Sequence, residues 1–353
     1  MISEFKVLNW RSCQRARFVF GRRNLFIGPN GAGKSNLLEA IGFLGILRSF
    51  RTVRPGELIH WDSSEAHLRG RWQTHESAPG TELEVAIYRS GVRRLQVNRQ
   101  NENSGRDFIQ HFYPVIFAPE DVDLINGMPG CRRRFFDMLA SQLDDGYINV
   151  LHDYNAALKM RNTLLKQSRR IDPAKLEVYD NLLAFAGADL TIRRQNCIEK
   201  FNRTLARLTD DKTAQLKVIY IPQCANGAEA ALEIFARNRQ RELEKRTTLS
   251  GCHLDEFHIF RGERAMRGFA SNGQNRLAAL HCKLSAALMV MQNRGAEKLI
   301  ALVDDVTGEL DEYNRKLFYQ LLAPAGQMFF TFTEKPSGQF FDDAECIFFP
   351  VNS

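Results

Sequence analysis

The sequence predicts an α/β phosphate-binding fold that is interrupted by a mostly helical inserted domain. A glycine-rich turn between an apolar strand and a helix lies in the first α/β piece, and an apolar strand ending in two aspartates lies in the second. Because neither piece holds both features, we expect the two pieces to fold together as one discontinuous domain. The predicted boundaries are 1–118 and 247–353 for this domain and 119–246 for the helical lid or arm domain.

Length and composition favour a cytoplasmic protein. The 353 residues suffice for about two domains. No apolar run reaches the roughly 18 residues that a membrane span requires, and the first residues, with acidic and basic side chains in a strand-like pattern, do not form a signal peptide. The seven cysteines show no metal-ligand spacing, which disfavours a zinc site. We therefore expect reduced thiols, a cytoplasmic location and no membrane association.

The basic residues are unevenly distributed. Of the net charge of +7, most arises in residues 151–250, which hold 18 Lys and Arg against 12 Asp and Glu. Arginines make up 35 of the 48 basic residues, and the planar guanidinium group suits phosphate. This excess fits two interpretations, a solvated helical face or a surface for a polyanion such as DNA.

The elements of the first piece are mainly strands. Alternating and β-branched residues predict strands and turns around one helix, from about Ser35 to Leu47. From about Arg132, apolar residues at i, i+3 and i+4 spacing predict long helices, with a break at Asp172-Pro173 where Asp172 caps the second helix. A strand and a helix near 228–246 end this block.

Strands and helices alternate in the last piece. The pattern predicts a strand over "DEFHIF", a helix near 273–293, a strand over "KLIALVDD", a helix near 312–322, and strands over "QMFFTFT" and "CIFFP". The alternation is typical of a sheet whose strands are connected by helices.

The glycine-rich turn satisfies the phosphate-loop pattern G-x-x-x-x-G-K-[ST]. Small residues let backbone N–H groups surround a phosphate, Lys34 reaches the β and γ oxygens, and Ser35 offers a hydroxyl to Mg²⁺. Asn30 either faces the γ-phosphate or is a plain turn residue. The alternative, a glycine turn capped by Ser35, leaves Lys34 without a role. The predicted ATP-binding residues of the loop are Gly28, Pro29, Asn30, Gly31, Ala32, Gly33, Lys34, Ser35 and Asn36.

Two adjacent carboxylates end the strand "KLIALVDD". In phosphate-loop proteins the first acid after such a strand typically holds Mg²⁺, and the next can polarise the attacking water. We therefore assign Asp304, with Ser35, to Mg²⁺ and Asp305 to the general base. The predicted catalytic residues are Asp305 and Lys34, the latter through its contact with phosphate. The alternative for both aspartates is a helix cap or turn at the end of the strand.

A second phosphate site is predicted at Ser271-Asn272-Gly273-Gln274, which precedes a strongly amphipathic helix. Ser271 can cap this helix while free N–H groups face an anion. The phosphate loop and this second loop must approach one nucleotide from opposite sides. One chain cannot easily provide both loops to the same nucleotide, but two chains can. Ser271, Gly273 and Gln274 are therefore expected to contact the ATP of a partner chain, and a simple helix cap is the alternative.

At these motifs the chain resembles the ATP-binding-cassette heads of the SMC type, and it is similar in particular to the RecF family of bacterial DNA replication and repair proteins. In these heads Ser-x-Gly-Gln completes the partner's ATP site. The similarity extends over essentially the whole chain. It includes the tail Arg48, Ser49, Arg51 and Thr52 after the phosphate loop, the block Pro119, Glu120 and Asp121 that runs on into Arg132–Phe135 and Asp137, and the segments "LHDYNAALKMRNTLLK", "FASNGQNR", "LVDDVTGELD" and "FFTFTE".

The chain departs from the family pattern at two places, and at a third place it differs from transport-type cassettes. Residues 251–256 read Gly-Cys-His-Leu-Asp-Glu where the family has Gly-Pro-His-Arg-Asp-Asp, so one arginine is lost. Asn272 replaces a glutamine, which leaves the backbone role of the turn intact. Thr331, Thr333 and Glu334 stand where transport-type cassettes carry a switch histidine. We therefore expect slow turnover, with ATP acting mainly as a dimer clamp.

The resemblance implies a fold and further site residues. The fold is an ABC/SMC-type P-loop ATPase head, with a mixed sheet around central helices and an inserted lid. Asp311 matches the D-loop at a dimer seam, unless it only caps a helix, and Arg11 is expected near the nucleotide, unless it is a surface residue. Positive charge, independently of the resemblance, makes seven arginines candidates for DNA binding, with salt bridges as the alternative. They are Arg132, Arg133, Arg134, Arg169, Arg170, Arg193 and Arg194.

The function that the resemblance implies is ATP-dependent DNA binding in replication, recombinational repair and the SOS response. An ATP-driven, head-to-tail homodimer would clamp duplex DNA near single-strand gaps without sequence preference, with RecO and RecR as partners in recombinase loading. ATP and Mg²⁺ are the expected cofactors, and weak, DNA-stimulated ATP hydrolysis would release the clamp.

Two alternative functions remain open. The first is an ABC-type effector or transporter-like ATPase whose insert binds a protein rather than DNA. The second is a small-molecule kinase that uses the phosphate loop alone and leaves the segment 271–274 unexplained. A full-length SMC protein is excluded because no sustained heptads are long enough for its coiled coil.

Overall fold

The computed structural model describes residues 1–350 apart from 53, 76–77, 168–171, 210–214 and 225–226. It contains two compact units, Met1–Glu120 with Ala286–Ser353 and Asp121–Ser285. The strands are β1 (Ile2–Trp10), β2 (Cys13–Val19), β3 (Arg23–Ile27), β4 (Glu65–Trp72), β5 (Thr81–Tyr88), β6 (Arg93–Val97), β7 (Gln100–Glu102), β8 (Tyr113–Phe117), β9 (Leu216–Ile221), β10 (Glu256–Arg261), β11 (Arg264–Ala265), β12 (Leu299–Asp304), β13 (Gln327–Phe332) and β14 (Glu345–Phe348). The α-helices are α1 (Lys34–Ile46), α2 (Gly105–Phe108), α3 (Asp123–Asn126), α4 (Pro129–Leu143), α5 (Tyr147–Gln167), α6 (Pro173–Leu208), α7 (Ala228–Lys245), α8 (Asn272–Arg294) and α9 (Glu312–Leu322).

The first unit contains two sheets. One is antiparallel, with strand order β2-β1-β4-β5-β6-β7, and its alternating pattern buries one face. The other has the order β14-β3-β13-β12-β8, and its paired strands are parallel. Helix α1 packs against strands of both sheets, so one apolar core unites them. The carboxyl ends of β3, β12 and β13 therefore meet at one edge, beside the start of α1.

Close packing against Phe112 and Pro114 explains why residue 45 of α1 is a glycine. A Cβ atom on Gly45 would lie 2.5 Å from the Phe112 ring and 2.8 Å from Pro114. Any larger residue at this position would push the helix away from the end of β8, since these distances are far below van der Waals contact. Gly45 therefore fixes the depth at which α1 packs on the parallel sheet.

The second unit combines the helices α4–α7 with a three-stranded sheet in the order β11-β10-β9. Strand β10 pairs antiparallel with β9 along its full length, from Glu256 with Ile221 to Arg261 with Leu216. Residues 247–285 therefore belong to this unit. The division after Glu120 lies close to the predicted boundary at 118, whereas the division after Ser285 differs from the predicted boundary at 246.

A buried polar network centred on Arg194 holds the second unit together. The Arg194 guanidinium group donates to Asp137 Oδ1 (2.8 Å), Asp255 Oδ2 (2.6 Å) and the carbonyl of Cys252 (2.8 Å). Burial acts to lower the pKa of Arg194, but Asp137, Tyr147 and Asp255 outweigh burial and hold this pKa above its usual range. The network therefore connects α4 and α6 to the turn before β10.

The segment 251–256, which departs from the family pattern, contributes to this network. Asp255 is buried and also accepts hydrogen bonds from the backbone N–H of Gln223 (2.7 Å) and from Tyr220 (2.5 Å). His253 shares a hydrogen bond of 2.9 Å with Tyr154, and burial lowers the pKa of His253 to about 4. The segment therefore has a structural role within the second unit.

The helices give no indication of a membrane span. Within the described part of the chain, none of them combines the length and the apolar character that crossing a bilayer requires.

The network predicts a large loss of stability when its central cation is removed. Arg194→Met removes the cation from buried Asp255 and half-buried Asp137, so we expect a loss of about 3–5 kcal/mol in the stability of the second unit. Arg134→Met is the matched control, since Arg134 is exposed and changes of this kind cost within about 0.5 kcal/mol. Chemical denaturation followed by circular dichroism measures both, and equal midpoints for the two variants would contradict the structural role of Arg194.

Candidate functional site

The turn between β3 and α1 has the backbone geometry of an anion-binding loop. Gly31 and Gly33 adopt positive φ angles of 81° and 95°, a left-handed conformation that glycine adopts without steric cost. Helix α1 begins at Lys34, and Gly33 provides no side chain to cap it. The N–H groups of the first helical turn are therefore available to an anion, and the helix dipole favours negative charge there.

Lys34 is buried within this loop. Its Nζ atom donates to the carbonyls of Gly28 (2.6 Å) and Pro29 (2.8 Å). Burial lowers the pKa of Lys34, while Asp305 and Asp304 oppose this shift. The ammonium group is thus held between the loop and two carboxylates, where it can exchange carbonyl contacts for phosphate oxygens.

Asp304 joins three neighbouring elements. The carboxylate oxygen Oδ1 accepts hydrogen bonds from Ser35 Oγ of α1 (2.8 Å) and Thr331 Oγ1 of β13 (2.8 Å). Thr331 Oγ1 also accepts from the backbone N–H of Asp305 (3.0 Å). The two hydroxyl groups therefore fix the position of the Asp304 carboxylate at the end of β12.

Asp305 has an unusual backbone conformation. Its φ angle is 50°, in the left-handed region that few residues other than glycine adopt, although aspartate is among those that tolerate it. The side chain is exposed and lines a cleft, whereas its neighbour Asp304 is buried. The turn after β12 therefore gives the two adjacent carboxylates different environments.

A cleft of about 290 Å³ lies at this edge of the parallel sheet. Its lining is mainly polar, with backbone groups, hydroxyls, two carboxylates and two cationic side chains. Such a lining suits phosphate and a hydrated cation better than an apolar ligand. The lining residues are Asn30, Gly31, Gly33, Lys34, Ser35, Asn36, Arg51, Asp304, Asp305, Thr331, Phe332 and Thr333.

Most of the predicted loop residues and both aspartates thus meet in one cleft, and four further residues join them. Arg51, Thr331, Phe332 and Thr333 were given no binding role from the sequence. Arg51 Nη1 donates to Asn36 Oδ1 (2.9 Å), which places its guanidinium group beside the first turn of α1. The Arg-Ser-x-Arg-Thr tail was the available signal for Arg51, and the position of Thr331 follows only from the pairing of β13 with β12.

Arg11 occupies a different environment from the one expected. Its guanidinium group forms two hydrogen bonds with the buried carboxylate of Glu39, at 2.8 and 2.7 Å, and it is not among the described residues that line the cleft. Its neighbour Ser12 accepts a hydrogen bond from Asn36 (3.1 Å). The β1–β2 turn therefore supports the loop, with Arg11 as an ion-pair partner of α1.

The segment 271–274 lies in the second unit, at the start of α8. Gln274 N donates to Ser271 Oγ (3.3 Å), and Ser271 N donates to Gln274 Oε1 (3.1 Å), which is the reciprocal geometry of a capping box. All four residues are exposed, and no atom lies within 4 Å of a Cβ built on Gly273. The helix cap is therefore present, and the outer side of the turn is open.

Asp311 caps α9. Its Oδ1 atom accepts from the backbone N–H of Asn314 (2.8 Å), and Oδ2 accepts from the Asn314 side chain (2.7 Å). These hydrogen bonds lower the pKa of Asp311. The structure thus places this residue as an exposed helix cap, and a role at a dimer seam depends on a second chain.

The structure corrects the expectation for two of the DNA-binding candidates. Arg132 and Arg194 are only 2% and 3% exposed, so neither has a surface for DNA phosphate. Burial, followed by the nearby Arg267, lowers the pKa of Arg132. Arg193 forms ion pairs with Asp144 and Asp189, and half-buried Arg133 donates to the Asp255 carbonyl (2.8 Å). Arg134 is exposed. Arg169 and Arg170 lie outside the described residues.

The side-chain oxygens of Ser35 and Asp304 are suitable ligands for Mg²⁺. Their Oγ and Oδ1 atoms are 2.8 Å apart at the mouth of the phosphate loop. Among the described residues, no group of three or more His, Cys, Asp or Glu side chains is arranged to hold a metal. A cation at Asp304 would therefore take most of its ligands from phosphate and water, as Mg²⁺ commonly does.

Comparisons with known proteins agree with this geometry. The family model described as the RecF/RecN/SMC N-terminal domain matches residues 1–345. The chain is 35% identical over 330 residues to the DNA replication and repair protein RecF of Oceanobacillus iheyensis, covering 89% of this chain and 88% of that protein. It is 32% identical over 340 residues to RecF of Listeria monocytogenes, with 92% and 90% covered.

Solved structures give the same result. A structure of the recombination mediator protein RecF-ATP in the RecFOR pathway superposes with a TM-score of 0.87 at 31% identity, covering 98% of this chain and 95% of that chain. The Smc head domain of Pyrococcus furiosus, with an extended coiled coil and bound to the C-terminal domain of ScpA, superposes with a TM-score of 0.50 at 15% identity, covering 94% and 89%. The second likeness shows that the fold is that of an ABC/SMC-type ATPase head.

The hydrogen bonds around Asp304 predict unequal effects of two threonine substitutions. Thr331→Val keeps the volume but leaves Asp304 without one donor and the Asp305 N–H without its acceptor, so we expect a loss of about 1–3 kcal/mol. Thr333→Val is the matched control, because Thr333 lines the same cleft but is exposed. Thermal denaturation measures both variants. An unchanged midpoint for Thr331→Val would show that its hydroxyl does not hold the site.

Proposed function

Because the chain belongs to the RecF family of the RecF/RecN/SMC group, we propose that it is an ATP-dependent DNA-binding protein of replication and recombinational repair. The convergence of Lys34, Ser35 and Asp304 on one polar cleft carries this proposal. Relatives are named as DNA replication and repair proteins, and one solved relative is described with ATP in the RecFOR pathway. RecO and RecR are accordingly the proposed partners.

ATP binds through the loop at the start of α1. Backbone N–H groups of the loop and of the first helical turn surround the phosphates, and Lys34 exchanges its contacts with the Gly28 and Pro29 carbonyls for β and γ oxygens. Arg51 lies beside Asn36 and supplies a second cation. The binding energy thus comes mainly from groups that β3 and α1 already hold in position.

Asp304 and Asp305 have different roles in the proposed hydrolysis of ATP. Ser35 and Asp304 would hold Mg²⁺, which when bound would supply positive charge beside the phosphate oxygens. Asp305 is the general base, since its exposed carboxylate faces the cleft while Thr331 and the turn fix its backbone. With threonines in place of a switch histidine, we propose weak turnover that DNA stimulates and that releases the complex.

A second chain completes the nucleotide site. Each chain carries one phosphate loop in its first unit and one exposed Ser271–Gln274 turn in its second unit. The exposed start of α8, where the helix dipole favours negative charge, suits the γ-phosphate of a partner's ATP. Two chains can therefore pair head to tail around two ATP molecules, with Asp311 near the seam.

The exposed basic residues of the second unit provide a surface for duplex DNA near single-strand gaps. Two stripes with helical spacing replace the buried arginines as candidates. Such contacts reach phosphates and not base edges, so binding should be independent of sequence and sensitive to salt. The stripes consist of Lys200, Arg203 and Arg207 on α6, and of Arg237, Arg241 and Lys245 on α7.

The substitution Ser271→Arg is predicted to leave ATP binding intact and to prevent dimerisation. The variant keeps the phosphate loop, so we expect wild-type affinity for a fluorescent ATP analogue. It places a bulky cation in the exposed turn, so we expect it to stay monomeric with ATP in gel filtration with light scattering, whereas wild type becomes a dimer. Ser90→Arg is the control, because Ser90 is exposed in the β5–β6 turn. A dimer of Ser271→Arg would reject the head-to-tail arrangement.

The basic stripes predict a loss of DNA affinity. Replacing Arg203 and Arg207 with alanine removes two phosphate contacts, so the slope of log affinity against log salt should fall by about 2. Fluorescence anisotropy with gapped DNA, with and without ATP, measures this slope, and Arg54→Ala with Lys316→Ala is the control. Wild-type protein without ATP-dependent DNA affinity would instead favour a transporter-like ATPase whose insert binds a protein.

A further inference from the structure

Two exposed aromatic side chains lie beside the two motifs that are proposed to face a second chain. Phe269 is 85% exposed and precedes Ser271 by two residues, and Tyr313 is 71% exposed and follows Asp311 by two residues. Aromatic side chains bury about 150–250 Å² each when they are covered. A ring that stays in water therefore lacks the large favourable free energy of burial. The position of both rings next to the motifs requires an explanation.

The backbone that carries each ring is fixed by hydrogen bonds. The N–H groups of Phe269 and Ala270 both donate to the Met266 carbonyl at 3.1 Å, and the buried Asn275 side chain donates to the Ala270 carbonyl (3.3 Å). Tyr313 lies in the first turn of α9, which Asp311 caps. Both rings are thus presented from defined positions, which reduces the entropy lost on binding.

The charges nearest to the two rings in the sequence are complementary. Exposed Arg264, Arg267 and Arg276 lie near Phe269, with Glu263 as an opposing charge. Exposed Asp311 and Glu312 directly precede Tyr313, with basic side chains further along α9. The acidic side chains before Tyr313 can therefore attract the basic surroundings of Phe269 in a second copy.

We propose that Phe269 and Tyr313 are the apolar anchors that a second copy of this chain covers when the ATP-bound dimer forms. This inference rests on the proposed function. A second copy is the occupant because each chain carries both edges, so a two-fold pairing covers two phenylalanines and two tyrosines at once. Aromatic side chains in such positions commonly supply much of the affinity of an interface.

The experiment compares single alanine variants with a control of equal exposure. Phe269→Ala and Tyr313→Ala should each weaken the ATP-bound dimer about 10-fold or more in sedimentation equilibrium with a non-hydrolysable ATP analogue. Trp61→Ala should leave the dimer unchanged, since Trp61 is 70% exposed but distant in sequence from both motifs. Affinity of the monomer for a fluorescent ATP analogue should stay at the wild-type value in all three variants.

The conservative variants Phe269→Leu and Tyr313→Phe should retain most of the dimer affinity, and thermal denaturation confirms that each variant is folded. If wild type dimerises and both alanine variants dimerise equally well, the anchors are rejected and the proposed function stands. If wild type itself stays monomeric with the ATP analogue, the head-to-tail dimer and the anchors are both rejected.

Discussion

The buried carboxylate of Asp304 sets the geometry of the nucleotide site. Its hydrogen bonds to Ser35 and Thr331, both 2.8 Å, join the start of α1, the end of β12 and the end of β13 at one point. The parallel pairing of β12 with β13, and of β13 with β3, brings these groups together. The apolar core under α1 then keeps the loop at a fixed height above the sheet. Phosphate binding thus follows from the packing of the first unit.

The second unit has a different structural basis. Buried ion pairs around Arg194 and Arg161 stabilise it. Arg161 binds Asp180 and Glu242 at 2.7 Å each. Removing one partner of such a pair costs more than the pair contributes, so these arginines are unavailable for other ligands. The exposed arginines at helical spacing are the ones proposed to contact DNA, so the structural arginines and the proposed binding arginines of this segment are different residues.

Much of the fold could be predicted from the sequence because its signals are local. The strand–loop–helix around Lys34, the apolar strand that ends in Asp304, and the Asp172 cap before Pro173 are confirmed, and the capping box at Ser271 matches the predicted helix cap. The remainder depends on distant pairing. The sequence does not indicate that β10 joins β9, that Arg194 meets Asp255, or that Thr331 reaches Asp304. Charge alone favoured DNA contact for Arg132 and Arg194, and their burial could be seen only in the structure.

The composite site is tested most directly by mixing two defective variants. Lys34→Ala lacks a working phosphate loop, and Ser271→Arg lacks a working partner turn, so each alone should show no ATP-dependent dimer and no ATPase activity. In a mixed dimer, the intact loop of one chain meets the intact turn of the other. We therefore expect the mixture to recover ATP-dependent association and part of the wild-type ATPase rate. A mixture as inactive as its two components would contradict a nucleotide site shared between two chains.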